Sequence, residues 1–167
     1  MVPKPQGRSM KKLLIVWHSQ YGCTAQMADA ARSGAIAIPD TRSTCLRAAD
    51  AGVRDLLECD ALLIATSENF GSLAGMTKDF LERVFYPCEH DVEGKPYSAI
   101  VCAGTDGTGA MRDLDRIATG LRMRKVLPGI IYKSGRTAQQ HVVPPSILDA
   151  CRELGGTLAA GIAIGMY

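Results

Sequence analysis

The sequence of 167 residues lacks several features that would assign it at once to a class of protein. It has one tryptophan and three phenylalanines, and its six cysteines are scattered singly, without a C-x-x-C pair. Because zinc sites and small disulfide scaffolds depend on closely spaced cysteines, both are disfavoured. Several cysteines stand in apolar runs, where cysteine acts as a small hydrophobic residue. We therefore expect a reduced, cytoplasmic protein.

Long hydrophobic runs and a strong charge imbalance are also lacking. The longest apolar stretch, around residues 158–167, is short and interrupted by glycine, so it predicts no membrane span. The formal charge is +2, but four of the 19 basic residues fall in the first twelve positions, where there is no acid. Residues 13–167 therefore hold 15 basic and 17 acidic residues, a net charge of about −2. This charge does not favour binding to nucleic acid.

The length and composition favour a single folded domain. Residues 1–10 hold two prolines and a glycine without any periodicity, and they predict a disordered extension. Residues 11–167 then form the domain.

Short apolar runs alternate with segments of helical period, which is typical of a parallel sheet with crossover helices. Central strands, buried on both faces, are predicted at residues 13–17, 61–66 and 99–103. Outer strands are predicted at 44–49 and at 126–132, where Pro128 favours an edge position. The prediction is an α/β fold, a doubly wound five-stranded parallel sheet in the order 2-1-3-4-5.

Ligands of such sheets bind beyond the carboxyl ends of the strands, where the strand order reverses. Three loops lie there, at residues 18–24, 66–75 and 104–109. The first leads into a helix and offers hydroxyls, a glycine and backbone N–H groups that can bind a phosphate. It contains neither G-x-x-x-x-G-K-[ST] nor G-x-G-x-x-G, so nucleoside triphosphate hydrolysis and a dinucleotide fingerprint lack support. A helix cap without any ligand is the alternative interpretation.

Together, the three loops resemble those of the flavodoxin-like FMN-binding proteins, and among these the NAD(P)H-dependent FMN and quinone reductase branch. The resemblance covers about residues 11–136. Its most specific parts are His-Ser-Gln-Tyr-Gly-Cys-Thr at 18–24 and Asn-Phe-Gly-Ser-Leu-Ala-Gly-Met-Thr-Lys-Asp-Phe-Leu at 69–81. It departs from the reductase branch at Cys23, where His or Asn is frequent, and at Ser67, where Pro is frequent.

The resemblance implies FMN as the cofactor and assigns residues to it from each loop. The FMN phosphate would lie on Ser19, Gln20, Gly22, Cys23 and Thr24. Ser67, Glu68, Asn69, Phe70 and Gly71 would line the isoalloxazine ring and the ribityl chain, and Thr105, Asp106, Gly107, Thr108 and Gly109 the other edge of the ring. We also expect Tyr21 to pack against the flavin, because aromatic faces pack well against planar rings.

The predicted function is transfer of a hydride from NAD(P)H, through FMN, to a quinone or another small acceptor. Because the cofactor carries this chemistry, no catalytic side chain and no metal are expected. A flavodoxin-type electron carrier acting between proteins is one alternative, and an interaction module without flavin is another. The resemblance further implies a homodimer or homotetramer, with no nucleic acid partner.

A stretch without acids between Arg116 and Leu148 gives one more hypothesis, that its basic residues bind the phosphates of NADPH. A solvated surface is the alternative. The residues are Arg116, Arg122, Arg124, Lys125, Lys133 and Arg136.

Overall fold

The computed structural model describes residues 9–135 and 141–167. Nearly all of the predicted N-terminal extension, and Arg136, therefore lie outside the described residues. The elements follow in the order β1 (Lys11–Trp17), α1 (Cys23–Ile36), β2 (Thr41–Arg47), α2 (Val53–Glu58), β3 (Ala61–Asn69), β4 (Ser72–Leu73), α3 (Gly75–Cys88), β5 (Pro96–Ala103), α4 (Thr108–Gly120), β6 (Arg124–Lys125), β7 (Ile130–Lys133) and α5 (Pro145–Ile164). None of the helices in these ranges is long and apolar enough to cross a membrane.

One parallel sheet organises the chain. Its strands lie in the order β2-β1-β3-β5, and both β6 and β7 pair with β5 on the far side. All of these pairings are parallel. The predicted α/β class and the predicted strand order are therefore confirmed.

The sheet also differs from the prediction in two places. The predicted fifth strand is two short pieces, β6 and β7, because Pro128 lies between them and cannot donate to a ladder. In addition, β4 pairs antiparallel with the end of β3. The two residues that join them, Phe70 and Gly71, have φ angles of 53° and 73°, as a type I′ turn requires.

The core lies on both faces of the sheet, because the central strands alternate their side chains between two layers of helices. In β1, Leu13 and Ile15 pack with residues of α1 and α5. Leu14 and Val16 pack on the opposite face with residues of α2, α3 and α4. Burial on both faces explains why these strands read as nearly continuous apolar runs.

Helices α1 and α5 approach each other backbone to backbone. A Cβ atom on Gly155 would lie 2.0 Å from the carbonyl oxygen of Ala31, and one on Gly34 would lie 1.9 Å from that of Arg152. No side chain fits at either position. The contact fixes the place of α1, whose first turn faces the carboxyl edge of the sheet.

We expect Gly155→Ala to lower the free energy of unfolding by about 1–3 kcal/mol, because the added methyl group forces two backbones apart. Gly156→Ala is the matched control, since its Cβ would lie 3.4 Å from the nearest atom, an ordinary contact distance. There, replacing glycine within a helix stabilises the protein by up to about 1 kcal/mol. Urea unfolding of both variants measures the difference, and equal stabilities would contradict the close approach.

Candidate functional site

A cleft of about 330 Å³ opens at the carboxyl edge of the sheet, beyond the ends of β1, β3 and β5. A volume of this size is at the lower end of the range for small-molecule sites. From the first loop, the cleft is lined by Ser19, Gln20, Tyr21, Cys23 and Thr24. From the second loop, it is lined by Ser67, Glu68 and Asn69. The structure thus brings the two predicted loops together around one space.

The first loop is a tight turn that leaves backbone amides pointing out of α1. The Ser19 hydroxyl accepts a hydrogen bond from the Gly22 amide at 2.9 Å, and Gly22 has a φ of 98°, which favours glycine. No side chain caps the helix at Gly22. Among the described residues, no acceptor takes the amides of Thr24 and Ala25. A helix start of this kind stabilises an anion through its free N–H groups and its dipole.

The second loop supplies a buried hydroxyl to the wall of the cleft. Ser67 Oγ is buried and has no hydrogen-bond partner among the described residues. A buried hydroxyl without a partner is costly, so a ligand with a polar group fits this position. Asn69 lines the cleft as well. Phe70 and Gly71 form the turn beyond it and are not part of the lining, and the Phe70 side chain is fully exposed.

Glu68 ties the second loop to the third. One oxygen of its carboxylate accepts a hydrogen bond from the Gly107 amide at 2.9 Å, and the other accepts one from the Ala110 amide at 3.0 Å. The carboxylate therefore satisfies two of the free N–H groups at the start of α4. The loops also pack closely, since a Cβ on Gly109 would lie 2.0 Å from the Gly71 carbonyl oxygen.

The third loop supports the site, and only its first residue, Gly104, lines the described cleft. The predicted residues Thr105, Asp106, Gly107, Thr108 and Gly109 are not among the residues that line the cleft. That part of the wall consists instead of Cys102, Ala103 and Gly104, the last residues of β5 and the one that follows. Thr108 donates its hydroxyl proton to Asp106 within the loop.

The sequence analysis did not predict one part of the lining, which consists of residues that follow β7. Ser134 and Gly135 line the cleft, and the Ser134 amide donates to the Ala103 carbonyl at 2.8 Å. Their position could have been found, because they follow a predicted strand at the same edge of the sheet. His141 also lines the cleft, and its ring stacks on that of Tyr21 with the centroids 5.7 Å apart. No sequence pattern indicates this contact.

Gln26 of α1 holds the segment of His141 in place. Its side-chain nitrogen donates to the His141 carbonyl oxygen, and its side-chain oxygen accepts a hydrogen bond from the Val143 amide at 3.2 Å. The Tyr21 ring and the His141 ring therefore stand together at the mouth of the cleft. Tyr21 is largely exposed, which leaves its ring free to border a bound ligand.

The cleft carries little charge of its own. Glu68 is the one carboxylate among its lining residues in the described ranges, and its oxygens are taken up by amides. Burial raises the pKa of the Cys102 thiol to about 11, so this thiol is neutral at physiological pH. Nearby, burial and then the charge of Arg47 lower the pKa of His18. The described residues contain no cluster of side chains that could hold a metal ion.

Two of the basic residues proposed for NADPH lie at the edge of the sheet opposite to the cleft. Arg124 and Lys125 pair with the first two residues of β5, about 20 Å along the strand from the cleft at its other end. Lys125 is paired with Asp115, and Arg122 with Glu93. Lys133 pairs opposite Ala103 and so lies at the carboxyl edge.

Comparison with known proteins gives one family and one fold. A family model described as NADPH-dependent FMN reductase matches residues 17–137. A flavodoxin from the domain Archaea is similar in structure, with a TM-score of 0.75 and 19% identity over 92% of this chain and 99% of that one. A WrbA-like flavodoxin from Agrobacterium tumefaciens has a TM-score of 0.68 and 17% identity, over 93% and 98%. A flavodoxin from Streptococcus pneumonia TIGR4 has a TM-score of 0.72 and 20% identity, over 89% and 98%.

We expect Glu68→Gln to lower the free energy of unfolding by about 1–3 kcal/mol, because one of the two amides at the start of α4 loses its acceptor and stays buried. Glu82→Gln is the control, since Glu82 lies on the exposed surface of α3. Thermal unfolding of the two variants measures the difference. If both lose the same stability, the carboxylate of Glu68 does not hold the two loops together.

Proposed function

The chain belongs to the NADPH-dependent FMN reductase family, and from this premise we propose that it transfers a hydride from NAD(P)H, through FMN, to a quinone or another small electron acceptor. Bound FMN supplies the redox chemistry, in which it takes a hydride from NAD(P)H and returns electrons to the acceptor. The protein binds and orients the cofactor.

The observation that carries the proposal is that Ser67, with its buried hydroxyl, lines the same cleft as the first turn of α1. The amides of Thr24 and Ala25 suit a phosphate, because they donate to no acceptor among the described residues. Ser67 Oγ, without a partner in the wall, suits a polar atom of the flavin ring or of its ribityl chain. The amides of α1 therefore suit an anionic group and Ser67 a polar group of the same ligand. FMN has both, a phosphate at one end and a polar ring and ribityl chain at the other.

The other predicted residues of the first two loops, apart from Phe70 and Gly71, divide into two groups under this proposal. Ser19, Gln20, Tyr21, Cys23 and Asn69 line the cleft and would contact FMN directly. Gly22 and Glu68 would act by shaping the loops, Gly22 through its φ angle and Glu68 through its bonds to α4.

The mouth of the cleft favours a flat, apolar acceptor. Tyr21, Phe70 and Val142 are large apolar side chains that are mostly exposed, and each lines the cleft or follows a residue that does. An exposed apolar side chain beside a cleft, such as that of Tyr21, offers an apolar surface to a bound molecule. A quinone ring suits such an apolar entrance.

The predicted homodimer or homotetramer stays a prediction. Light scattering of the purified protein measures its oligomeric state.

The direct experiment is the absorption spectrum of the protein loaded with FMN, recorded before and after NADPH and again with NADH. We expect the flavin absorption to bleach with the pyridine nucleotide and to return when a quinone is added, with steady turnover. Reduction only by a separate reductase would favour the electron carrier, whose fold is shared by the flavodoxins. A protein that stays colourless in excess FMN would contradict the proposal.

We expect Ser67→Ala to weaken FMN binding by about fivefold, the loss of one hydrogen bond of about 1 kcal/mol, without loss of stability. Ser43→Ala is the matched control. Ser43 Oγ is the other buried hydroxyl without a partner among the described residues, and it lies on β2, away from the cleft. Quenching of FMN fluorescence measures both affinities, and equal affinities in the two variants would remove Ser67 from the FMN site.

A further inference from the structure

Two cysteines that the proposed reaction does not use face each other in the floor of the cleft. Cys23 is the first residue of α1, and Cys102 is the last but one of β5. Both line the cleft, and both belong to the cluster of buried residues between the sheet and the helices α1 and α5. Of the six cysteines, all within the described ranges, none of the other four lines this cleft.

The side chains of the two cysteines lie close together in this cluster. Cys23, Thr24 and Ser134 are near enough to the Cys102 thiol to influence its pKa. Alternation along β5 turns Ile100 and Cys102 toward α1, and Val101 and Ala103 toward the opposite face. The fold therefore brings together, in the wall of the cleft, two thiols that are far apart in the sequence.

We propose that Cys23 and Cys102 form a peroxide-sensitive dithiol, and that its oxidation to a disulfide weakens the binding of FMN. The proposal that the disulfide forms is argued from the positions of the two thiols and does not depend on the proposed function. Its effect on FMN rests on the proposed function.

The oxidant is hydrogen peroxide, and the reaction has two steps. One sulfur attacks the peroxide, the O–O bond breaks, and a sulfenic acid and one water form. The second sulfur attacks the sulfenic sulfur, an S–S bond forms, and a second water leaves. Two thiols are thereby oxidised by two electrons, which reduce one peroxide to two waters. We assign the first step to Cys23, because the raised pKa of Cys102 keeps that thiol protonated.

The disulfide would act on the part of the cleft that holds the phosphate. A disulfide requires its two Cβ atoms to lie about 3.5–4.5 Å apart, so it ties the first turn of α1 to the end of β5. That turn carries the amides of Thr24 and Ala25, which would bind the phosphate of FMN. Its position relative to the second loop therefore affects the affinity for FMN. Because the two equilibria are coupled, bound FMN must disfavour formation of the disulfide by the same factor by which the disulfide weakens FMN binding.

The experiment treats the full-length reduced protein with hydrogen peroxide, with and without FMN, and then removes the peroxide. Digestion with trypsin and a glutamate-specific protease gives peptides 13–32 and 94–112, and each holds one cysteine, Cys23 or Cys102. Mass spectrometry then detects the linked pair. FMN fluorescence gives the affinity before oxidation, after oxidation and after dithiothreitol. Cys102→Ser and Cys23→Ser remove the pair, and Cys45→Ser, which removes a thiol of β2 outside the cleft, is the control.

We expect the linked peptides in the wild type and in Cys45→Ser, a loss of FMN affinity of at least tenfold, recovery with dithiothreitol, and slower oxidation when FMN is present. Neither Cys102→Ser nor Cys23→Ser should lose affinity on peroxide treatment. Absence of the linked peptides from the folded wild type would overturn the proposal, and linked peptides with unchanged affinity would overturn the effect on FMN. If the reduced protein binds no FMN, the proposed function fails, while the peptides still decide whether the disulfide forms.

Discussion

The parallel pairing of β1, β3 and β5 is the constraint on which the rest of the structure depends. Because these strands run in the same direction, their carboxyl ends meet at one edge, and the loops that follow them are brought into contact. The strands are buried on both faces, so packing from two layers of helices holds them in place. Apart from His141, the residues that line the cleft stand there because they lie at or just after the end of a strand or at the start of α1.

Much of the fold could be predicted from the sequence because burial leaves a direct mark on it. The apolar runs at 13–17, 61–66 and 99–103 indicate strands covered on both sides, and the structure places them at the centre of the sheet. Pro128 indicates an edge strand, but the break that it causes between β6 and β7 depends on pairing with β5, which composition does not show. The short β4 was not predicted, since two residues carry no period.

The site could be predicted in part, for a physical reason that differs between its loops. The first loop is local, so its turn and its free amides follow from Ser19, Gly22 and the start of a helix. The third loop depends on a partner, since the Glu68 carboxylate occupies its amides, and a carboxylate distant in sequence gives no local signal. His141 is held at the cleft by Gln26 and Tyr21, two contacts that form once the chain has folded.

Gln26 uses both ends of one side-chain amide on a single stretch of backbone, as a neighbouring β-strand would do with its peptide groups. Residues 141–143 at the entrance of the cleft are thereby attached to α1, the same helix whose first turn would bind the phosphate. A designer who wished to enlarge the entrance for a bulkier acceptor could not shift residues 141–143 alone, because α1 would be drawn along with them. Changing the side chains at Tyr21 and Val142, while leaving Gln26 untouched, is the route that the architecture leaves open.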